Sequence, residues 1–218
     1  MKVLVIGSDG QLGLEFQKIS NSYDSSSWIF STIKTLDLLR LETISFFLNN
    51  INPSVIVNCA AYTNVDKAET EPKVANTINY KAVDIISKWT SENNKKLIHI
   101  STDYVFDGLS NIPFSENSET KPVNEYGSSK LKGEIACLKN DPNSIVIRTS
   151  WLYSSFGKNF VKTMIDLMKK NNSVNVVNDQ IGSPTYAFDL AKVILKIIMN
   201  YKTESGLFHY SNEGEISW

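Results

Sequence analysis

The stretch VLVIGSDGQLG at residues 3–13 decides the fold, because it joins a short apolar strand to a helix through a glycine-rich turn. Gly7, Gly10 and Gly13 have the spacing GxxGxxG. Glycine in such a turn allows a tight reversal, close approach of the backbone to a pyrophosphate, and close packing of the helix on the strand. The free N–H groups at the start of the helix then favour phosphate. The stretch therefore predicts a dinucleotide-binding unit.

Short apolar runs alternate with longer helical segments along the rest of the chain. The predicted strands are Val3–Ile6, Trp28–Ser31, Val55–Val57, Leu97–Ile100, Ser144–Ile147 and Val174–Val177. The predicted helices are Gln11–Ile19, Leu41–Leu48, Pro72–Glu92 with a bend near Asn76–Asn79, Tyr126–Leu138, Asn159–Lys169 and Ala187–Ile198; Gly108–Pro122 is predicted to be a loop. Apolar strands separated by helices are typical of a parallel sheet covered on both faces. We therefore expect an α/β fold with a doubly wound, Rossmann-like parallel sheet.

The composition excludes several classes of protein. The 218 residues include 22 Lys and Arg against 23 Asp and Glu, and this net charge of −1 argues against binding nucleic acid by counterion release. No stretch approaches the ~18 apolar residues of a membrane span. Cys59 and Cys137 lack CxxC spacing, so we expect no disulfide and a reducing, cytoplasmic location. His99 and His209 form no metal-ligand cluster.

The chain divides into two parts on this pattern. Residues 1–150 are predicted to form the NAD(P)-binding, Rossmann-like domain with the catalytic residues. Residues 151–218 are predicted to supply substrate-side segments, interleaved with the last strands and helices. Ser217-Trp218 resembles the cap and first residue of another helix, so we expect the C-terminal lobe to be incomplete.

The region after the second predicted strand bears on the choice of cofactor. Dinucleotide-binding proteins often place an acid there to bind the ribose 2′-hydroxyl. Phe30–Lys34 contains hydroxyls and a lysine instead, which favours NADPH, with NADH as the alternative. Asp37 and Leu38 follow and are expected beside the adenine. Ala60 and Ala61, after the third strand, are small enough to let the backbone approach a flat cofactor.

A YxxxK pattern points to acid–base chemistry. Tyr126 and Lys130 are four residues apart at the start of a predicted helix, so both lie on one face. A nearby ammonium is expected to lower the tyrosine pKa from its usual value near 10 and to make it a competent acid or base. Thr102 and Asp103 follow a predicted strand at the sheet edge where ligands bind. We expect Thr102 to donate to a substrate carbonyl and Asp103 to contact a sugar hydroxyl.

Five further blocks give the chain a family resemblance. They are NCAAYTNVDKAE at 58–69, STDYVFDG at 101–108, PVNEYGSSKLKGE at 122–134, RTSWLY at 148–153 and NDQIGSPT at 178–185. Together with the glycine turn they resemble nucleotide-sugar reductases of the extended short-chain dehydrogenase/reductase family, over the whole chain. The resemblance implies reduction of the 4-keto group of dTDP-4-dehydro-6-deoxy-L-mannose by NAD(P)H, which gives dTDP-L-rhamnose for surface polysaccharides.

The resemblance also implies roles for single residues. Tyr126 is the implied proton donor, Lys130 binds the nicotinamide ribose and tunes Tyr126, and Thr102 polarises the carbonyl. The residues implied to line the cofactor are Gly10, Gln11, Leu12, Asp37, Leu38, Ala61, Tyr62 and Thr63. Asp103 and Trp151 are implied to contact the sugar, and the substrate side is shaped by Asn178, Gln180, Pro184 and Thr185.

Some members of this family dimerise through a magnesium ion bridged by glutamates. Glu15 fits one such ligand, but Phe188 occupies the position where an acid is wanted, and Asp189 comes one residue later. The sequence therefore predicts no metal site and argues against a Mg²⁺-bridged dimer. A monomer and a homodimer both remain compatible with it.

Three alternatives remain open at this point. A nucleotide-sugar 4-epimerase or 4,6-dehydratase would share the fold, although dehydratases typically follow the threonine with Asp-Glu and Tyr104 follows Asp103 here. The regulatory subunit of methionine adenosyltransferase resembles the same family without catalysis, whereas the intact Thr102, Tyr126 and Lys130 favour an enzyme. The chain is also compatible with a fragment that binds cofactor and is inactive.

Overall fold

A six-stranded parallel sheet forms the centre of the molecule, in the order β2-β1-β3-β4-β5-β9. The computed structural model describes residues 1–21, 27–110, 112–200 and 204–218. The strands of this sheet are β1 (Val3–Ile6), β2 (Trp28–Ser31), β3 (Val55–Asn58), β4 (Lys96–Thr102), β5 (Ile145–Thr149) and β9 (Gly206–His209). Every neighbouring pair in this sheet is parallel. The prediction of a doubly wound parallel sheet is therefore confirmed.

Helices cover both faces of the sheet. They are α1 (Gln11–Ser20), α2 (Leu41–Ile51), α3 (Val65–Thr70), α4 (Pro72–Asn76), α5 (Ala82–Glu92), α6 (Glu125–Asn140), α7 (Phe160–Lys170) and α8 (Ala187–Met199). One apolar core lies between the sheet and α1 with α8, and the other between the sheet and α2, α5 and α6. Alternate strand residues enter the two cores, because successive side chains of a strand point to opposite faces. None of the helices in the described ranges is long and apolar enough to cross a membrane.

The strand order reverses beside β1, and this reversal positions the site. The chain passes from β1 to β2 on one side and then to β3 on the other. In open α/β sheets ligands bind at such a switch point, outside the carboxyl ends of the strands. Gly7 follows β1 directly, Cys59 follows β3, and Thr102 ends β4 at this same edge. The topology thus brings the sequence-predicted motifs together.

The long predicted helix is interrupted where the sequence analysis placed its bend. A π-helical turn at Thr77–Lys81 separates α4 from α5. Asn79 lies inside this turn and is fully buried. Its Oδ1 accepts from the Tyr62 N–H at 2.8 Å, and its Nδ2 donates to the Tyr62 carbonyl at 3.1 Å. The turn therefore holds the loop that follows β3.

Two predicted elements at the C-terminal end are wrong. Val174–Val177 forms no strand, and its two last valines are exposed, because the sheet edge beside β5 is occupied by β9 instead. Ser217 is not a helix cap: it belongs to β10 (Ile216–Ser217), which pairs antiparallel with β7 (Ile181–Gly182). A further short pair joins β6 (Leu152–Tyr153) and β8 (Thr185–Tyr186). The described part of Gly108–Pro122 is a loop as predicted, and Asn111 lies outside the described residues.

Candidate active site

A cleft of about 780 Å³ opens at the carboxyl edge of the sheet. It runs from the glycine turn, past the loop after β3, to the end of β4 and the start of α6. The sequence-predicted residues that line it are Gly7, Gly10, Gln11, Leu12, Gly13, Asp37, Leu38, Ala60, Ala61, Thr63, Thr102, Asp103, Tyr126, Lys130 and Trp151. Tyr62 does not line it: its hydroxyl donates to Glu71 Oε2 at 2.7 Å, away from the cleft.

The glycine turn fits a phosphate group. Gly7 has a φ of +76°, and a Cβ there would lie 2.6 Å from the Ala60 nitrogen. The N–H groups of Gly7 and Ser8 donate to the Ser31 carbonyl at 2.9 and 3.0 Å, which fixes the turn against β2. Gly10 caps α1 without a side chain, and the first turn of α1 contains no acid. The N–H groups at the start of α1 are thus left available for an anion.

The far side of the glycine turn faces a hydroxyl-rich turn after β2. Thr32, Asp37 and Leu38 line the cleft there. The Thr32 carbonyl accepts from the Thr35 N–H at 3.0 Å, and the hydroxyls of Ser31 and Thr35 lie 2.9 Å apart. Asp37 is the first acid after β2, and its Oδ1 accepts from the Leu39 N–H at 2.9 Å. This turn offers hydroxyl groups to the ribose of a dinucleotide, whereas Lys34, which the sequence analysis counted in favour of NADPH, does not line the cleft.

Thr102, Asp103 and Tyr126 form a polar cluster at the other end of the cleft. The Thr102 hydroxyl donates to Asp103 Oδ1 at 3.1 Å, and Tyr126 lines the same end of the cleft. The ring of Tyr104 packs edge-on against that of Tyr126, with centroids 5.5 Å apart. Burial raises the pKa of Asp103 to about 6, against the hydrogen bonds from Thr102 and the backbone that lower it. At neutral pH the carboxylate therefore dominates.

The surroundings of Tyr126 favour its protonated form over the phenolate. Burial, together with the charge of Asp103 and the neighbouring Tyr104, raises the pKa of Tyr126 to about 12, although the hydrogen bond with Thr102 lowers it. The prediction that Lys130 lowers this pKa is wrong for the polypeptide alone. Lys130 is itself buried, its Nζ donates to the Ile100 carbonyl at 2.6 Å, and burial lowers its own pKa to about 8. Tyr126 is therefore protonated at neutral pH and suited to give a proton away.

A buried ion pair anchors α6, the helix that carries Tyr126 and Lys130. Arg148 on β5 contacts Glu134 through Nε at 3.0 Å and Nη2 at 2.8 Å, and both side chains are at most 5% exposed. The guanidinium carbon lies 5.0 Å from the centre of the Phe106 ring. Because Glu134 is one turn beyond Lys130, the pair fixes the depth of the helix against the sheet.

The residues implied for the substrate side lie in two places. Trp151 lines the cleft and stacks on Trp218, with centroids 3.5 Å apart. Gln180 Oε1 accepts from the Trp218 indole at 2.9 Å, which places it behind this aromatic pair. Asn178 is exposed, Thr185 is buried against the Thr149 hydroxyl at 3.1 Å, and Pro184 precedes it. Asn178, Gln180, Pro184 and Thr185 do not line the cleft, so their role stays a prediction.

Several cleft residues were missed by the sequence analysis. They include Asp9, Leu36, Cys59, Ile78, Thr149, Ser150, Gly157, Lys158, Asn159 and Trp218. Gly157, Lys158 and Asn159 come from a loop whose proximity to α1 depends on tertiary structure. The Asn159 side chain gave a local signal, since it caps α7 by accepting from the Lys162 N–H at 3.0 Å. That signal marks the helix start but not the cleft.

The acids considered for a bridging metal are engaged within the chain. Glu15 is fully buried, and its Oε1 accepts from the Ser154 hydroxyl at 2.6 Å. Asp189 Oδ2 accepts from Asn212 Nδ2 at 3.1 Å. Across the described ranges, no group of three or more His, Cys, Asp or Glu side chains is arranged to hold a metal ion.

Comparison with known proteins places this arrangement in a family. The whole chain, residues 1–218, matches the family described as the RmlD substrate binding domain. A curated dTDP-4-dehydrorhamnose reductase of Aggregatibacter actinomycetemcomitans is 37% identical in an alignment of 224 positions, which covers 100% of this chain and 75% of that protein. The crystal structure of a dTDP-4-dehydrorhamnose reductase from Clostridium acetobutylicum superposes with a TM-score of 0.94 at 39% identity, covering 100% of this chain and 76% of that one.

A second solved structure bears on the cofactor. The dTDP-4-dehydrorhamnose reductase of Bacillus anthracis, in complex with NADP, superposes with a TM-score of 0.91 at 38% identity. The superposition covers 100% of this chain and 77% of the Bacillus anthracis chain. The fold, the cleft and these matches agree along the full sequence, and the chain therefore belongs to the RmlD substrate binding domain family.

Proposed function

We propose that this protein is an NADPH-dependent reductase that converts the 4-keto group of dTDP-4-dehydrorhamnose to the hydroxyl of dTDP-L-rhamnose. The observation that carries the proposal is the cluster of Thr102 and a protonated Tyr126 in the same cleft as the glycine turn. Matched relatives bear the name of this reductase, and one matched structure is a complex with NADP.

The cofactor has a fitting cradle along the cleft. When bound, NADPH supplies the hydride that reduces the carbonyl carbon. Its phosphates fit the N–H groups at the start of α1 and the close backbone approach at Gly7. Asp37 and Leu38 line the adenosine end, and Ala60 and Ala61 form a small-residue floor for the nicotinamide end.

The chain's own residues handle the oxygen of the carbonyl. Negative charge grows on this oxygen as the carbon is reduced, and preorganised donors stabilise it there. The hydroxyls of Thr102 and Tyr126 are the donors in this cleft, and Tyr126 passes its proton to the oxygen. The raised pKa of Tyr126 keeps that proton available at neutral pH. Lys130 holds the ribose of the cofactor beside it.

The remaining parts of the proposal concern the substrate side and the setting of the enzyme. Asp103 accepts from a sugar hydroxyl, and the Trp151 indole packs on the sugar. The segments within residues 151–218, including Asn178, Gln180 and Pro184-Thr185, belong to the substrate side of the molecule. The enzyme works in the cytoplasm, as a monomer or a homodimer.

The test is NADPH oxidation followed at 340 nm with dTDP-4-dehydrorhamnose. We expect the parent chain to consume one NADPH for each product molecule formed. An epimerase would show no net consumption of cofactor, because it regenerates its cofactor in each turnover. Tyr126→Phe is expected to lower kcat by at least ~100-fold, the usual contribution of a positioned proton donor. NADPH affinity should stay unchanged, because the phenyl ring keeps its packing.

A matched control separates chemistry from stability. Tyr153→Phe removes a hydroxyl from a tyrosine that stacks on Tyr186 outside the cleft, and it should leave kcat unchanged. Activity of Tyr126→Phe within tenfold of the parent would refute the proton-donor role. A parent chain that binds NADPH, reduces no nucleotide sugar and retains a synthetase in a pull-down would favour the regulatory alternative.

A further inference from the structure

The loop Ser154–Asn159 is fastened to the first two turns of α1. The Ser154 hydroxyl donates to Glu15 Oε1 at 2.6 Å, and Asn159 Nδ2 donates to Gln11 Oε1 at 2.9 Å. Gly157 has a φ of +65°, and a Cβ there would lie 3.0 Å from Gln11 Cγ. The loop is therefore held as a second wall beside the start of α1, opposite the glycine turn.

The charges along the cleft are distributed unevenly. The ionisable acids and cations that line it are Asp9, Asp37, Asp103, Lys130 and Lys158. Lys130 is at the catalytic end and is already engaged by a backbone carbonyl. At the glycine-turn end Asp9 brings a negative charge, which opposes an anion. Lys158, from the loop, is the cleft-lining cation at this end among the residues that the structure describes.

The ammonium of Lys158 has no partner within the described parts of the chain, whereas its neighbour does. Lys162, four residues later in the first turn of α7, donates from Nζ to the Ser155 carbonyl at 3.1 Å. No hydrogen bond or ion pair among the described residues uses Lys158 Nζ. The Lys158 side chain is exposed, lines the cleft and belongs to a loop that contacts Gln11, the first residue of α1, so its ammonium is available to an anion bound at the start of that helix.

We propose that Lys158 binds the diphosphate of the dinucleotide cofactor where it meets the start of α1. This inference rests on the proposed function, and it adds a side-chain contact to the backbone cradle. The diphosphate carries about two negative charges beside Asp9, and the helix N-terminus offers only partial positive charge in return. A lysine ammonium is a mobile point charge on a flexible stem, so it reaches an anion without a bidentate geometry.

The experiment measures binding rather than turnover. NADPH and ADP-ribose, which keeps the diphosphate without the nicotinamide, are titrated into the parent, Lys158→Met and Lys162→Met by calorimetry or NADPH fluorescence. We expect Lys158→Met to weaken both ligands by about fivefold at low salt, as for a partly exposed charge-assisted contact. The difference should shrink at high salt, where the charges are screened. Lys162→Met should stay within twofold of the parent.

Each other outcome is decisive. Equal affinities for parent and Lys158→Met, or equal weakening in the two lysine variants, would overturn the contact. dTDP is titrated into the same three proteins; if Lys158→Met weakens the binding of dTDP and leaves the NADPH affinity unchanged, the lysine belongs to the diphosphate of the nucleotide sugar, and that also overturns the proposal. A parent that binds NADPH but reduces no sugar refutes the proposed substrate, yet the NADPH affinities still decide the role of Lys158. A parent that binds no NADPH overturns both.

Discussion

Breaking the ion pair between Glu134 and Arg148 should be among the most destabilising single changes in this protein. The guanidinium and carboxylate meet at 2.8–3.0 Å with both side chains at most 5% exposed. Removing one partner of such a pair leaves a buried charge without compensation, which costs about 3–5 kcal/mol. For a chain of this length each kcal/mol lowers Tm by roughly 2–4 °C, so we expect a fall of about 10 °C.

The loss of stability in the two single variants should depend on pH differently, because a different charged group is left unpaired in each. Glu134→Met leaves an arginine that cannot lose its proton, beside the Phe106 ring and His209 Nε2 at 3.4 Å, with the more distant charge of Glu116 as its remaining compensation. Arg148→Met leaves the Glu134 carboxyl, which can become neutral by taking up a proton. The penalty of Arg148→Met should therefore shrink as the pH falls from 7 to 5, whereas that of Glu134→Met should not. The double variant should recover most of the loss, because two apolar side chains of similar volume replace the pair.

The assay is urea unfolding followed by circular dichroism for the four proteins of the cycle, with the free energy extrapolated to water. A coupling free energy of about 3 kcal/mol or more is expected from the double-mutant cycle. The reasoning would be refuted by single variants that each cost less than about 1 kcal/mol, or by a double variant that costs the sum of the two.

Three further predictions concern the cleft. Because burial lowers the pKa of Lys130 to about 8, its ammonium is present below that pH and lost above it. We therefore expect kcat/KM for NADPH to fall about tenfold for each pH unit above 8. A pH profile that stays flat to pH 10 would contradict this. Thr32→Asp places a carboxylate where a ribose 2′-hydroxyl binder stands in many dinucleotide sites, so the ratio of kcat/KM for NADPH over NADH should drop at least about tenfold. Gly13→Ala puts a methyl group into the backbone of Ser8, so NADPH affinity should fall more than about tenfold in a binding titration, while Gly10→Ala, with 3.4 Å to the nearest atom, should have the milder effect.

The elements of the sheet were predictable where a local apolar pattern was enough. Val3–Ile6 and Trp28–Ser31 have the bounds that the sequence analysis assigned. Gly206–His209 was missed because it has only two strongly apolar residues, Leu207 and Phe208, and becomes a strand by pairing with β5. Val174–Val177 has the composition of a strand but finds no free sheet edge. Pairing partners are a tertiary property, which a single run of residues does not encode.

The site shows the same division between local and tertiary information. The spacing of Tyr126 and Lys130 placed both side chains in one cleft, as expected from one helix face. The direction of the tyrosine pKa was wrong, because it depends on burial and on Asp103 and Tyr104, which arrive from another element. Lys158 was missed for a similar reason: nothing near it in the sequence indicates that its loop packs against α1.

The position of β9 has a consequence for how the chain folds during synthesis. The chain leaves β5 at Thr149 and returns to pair with it only at Gly206. Until that late segment emerges from the ribosome, the growing sheet presents an unpaired edge, and such edges recruit strands of other chains. Pairings between distant segments also form slowly. Nascent chains of this protein should therefore depend on chaperones most strongly in the interval between translation of β5 and translation of β9.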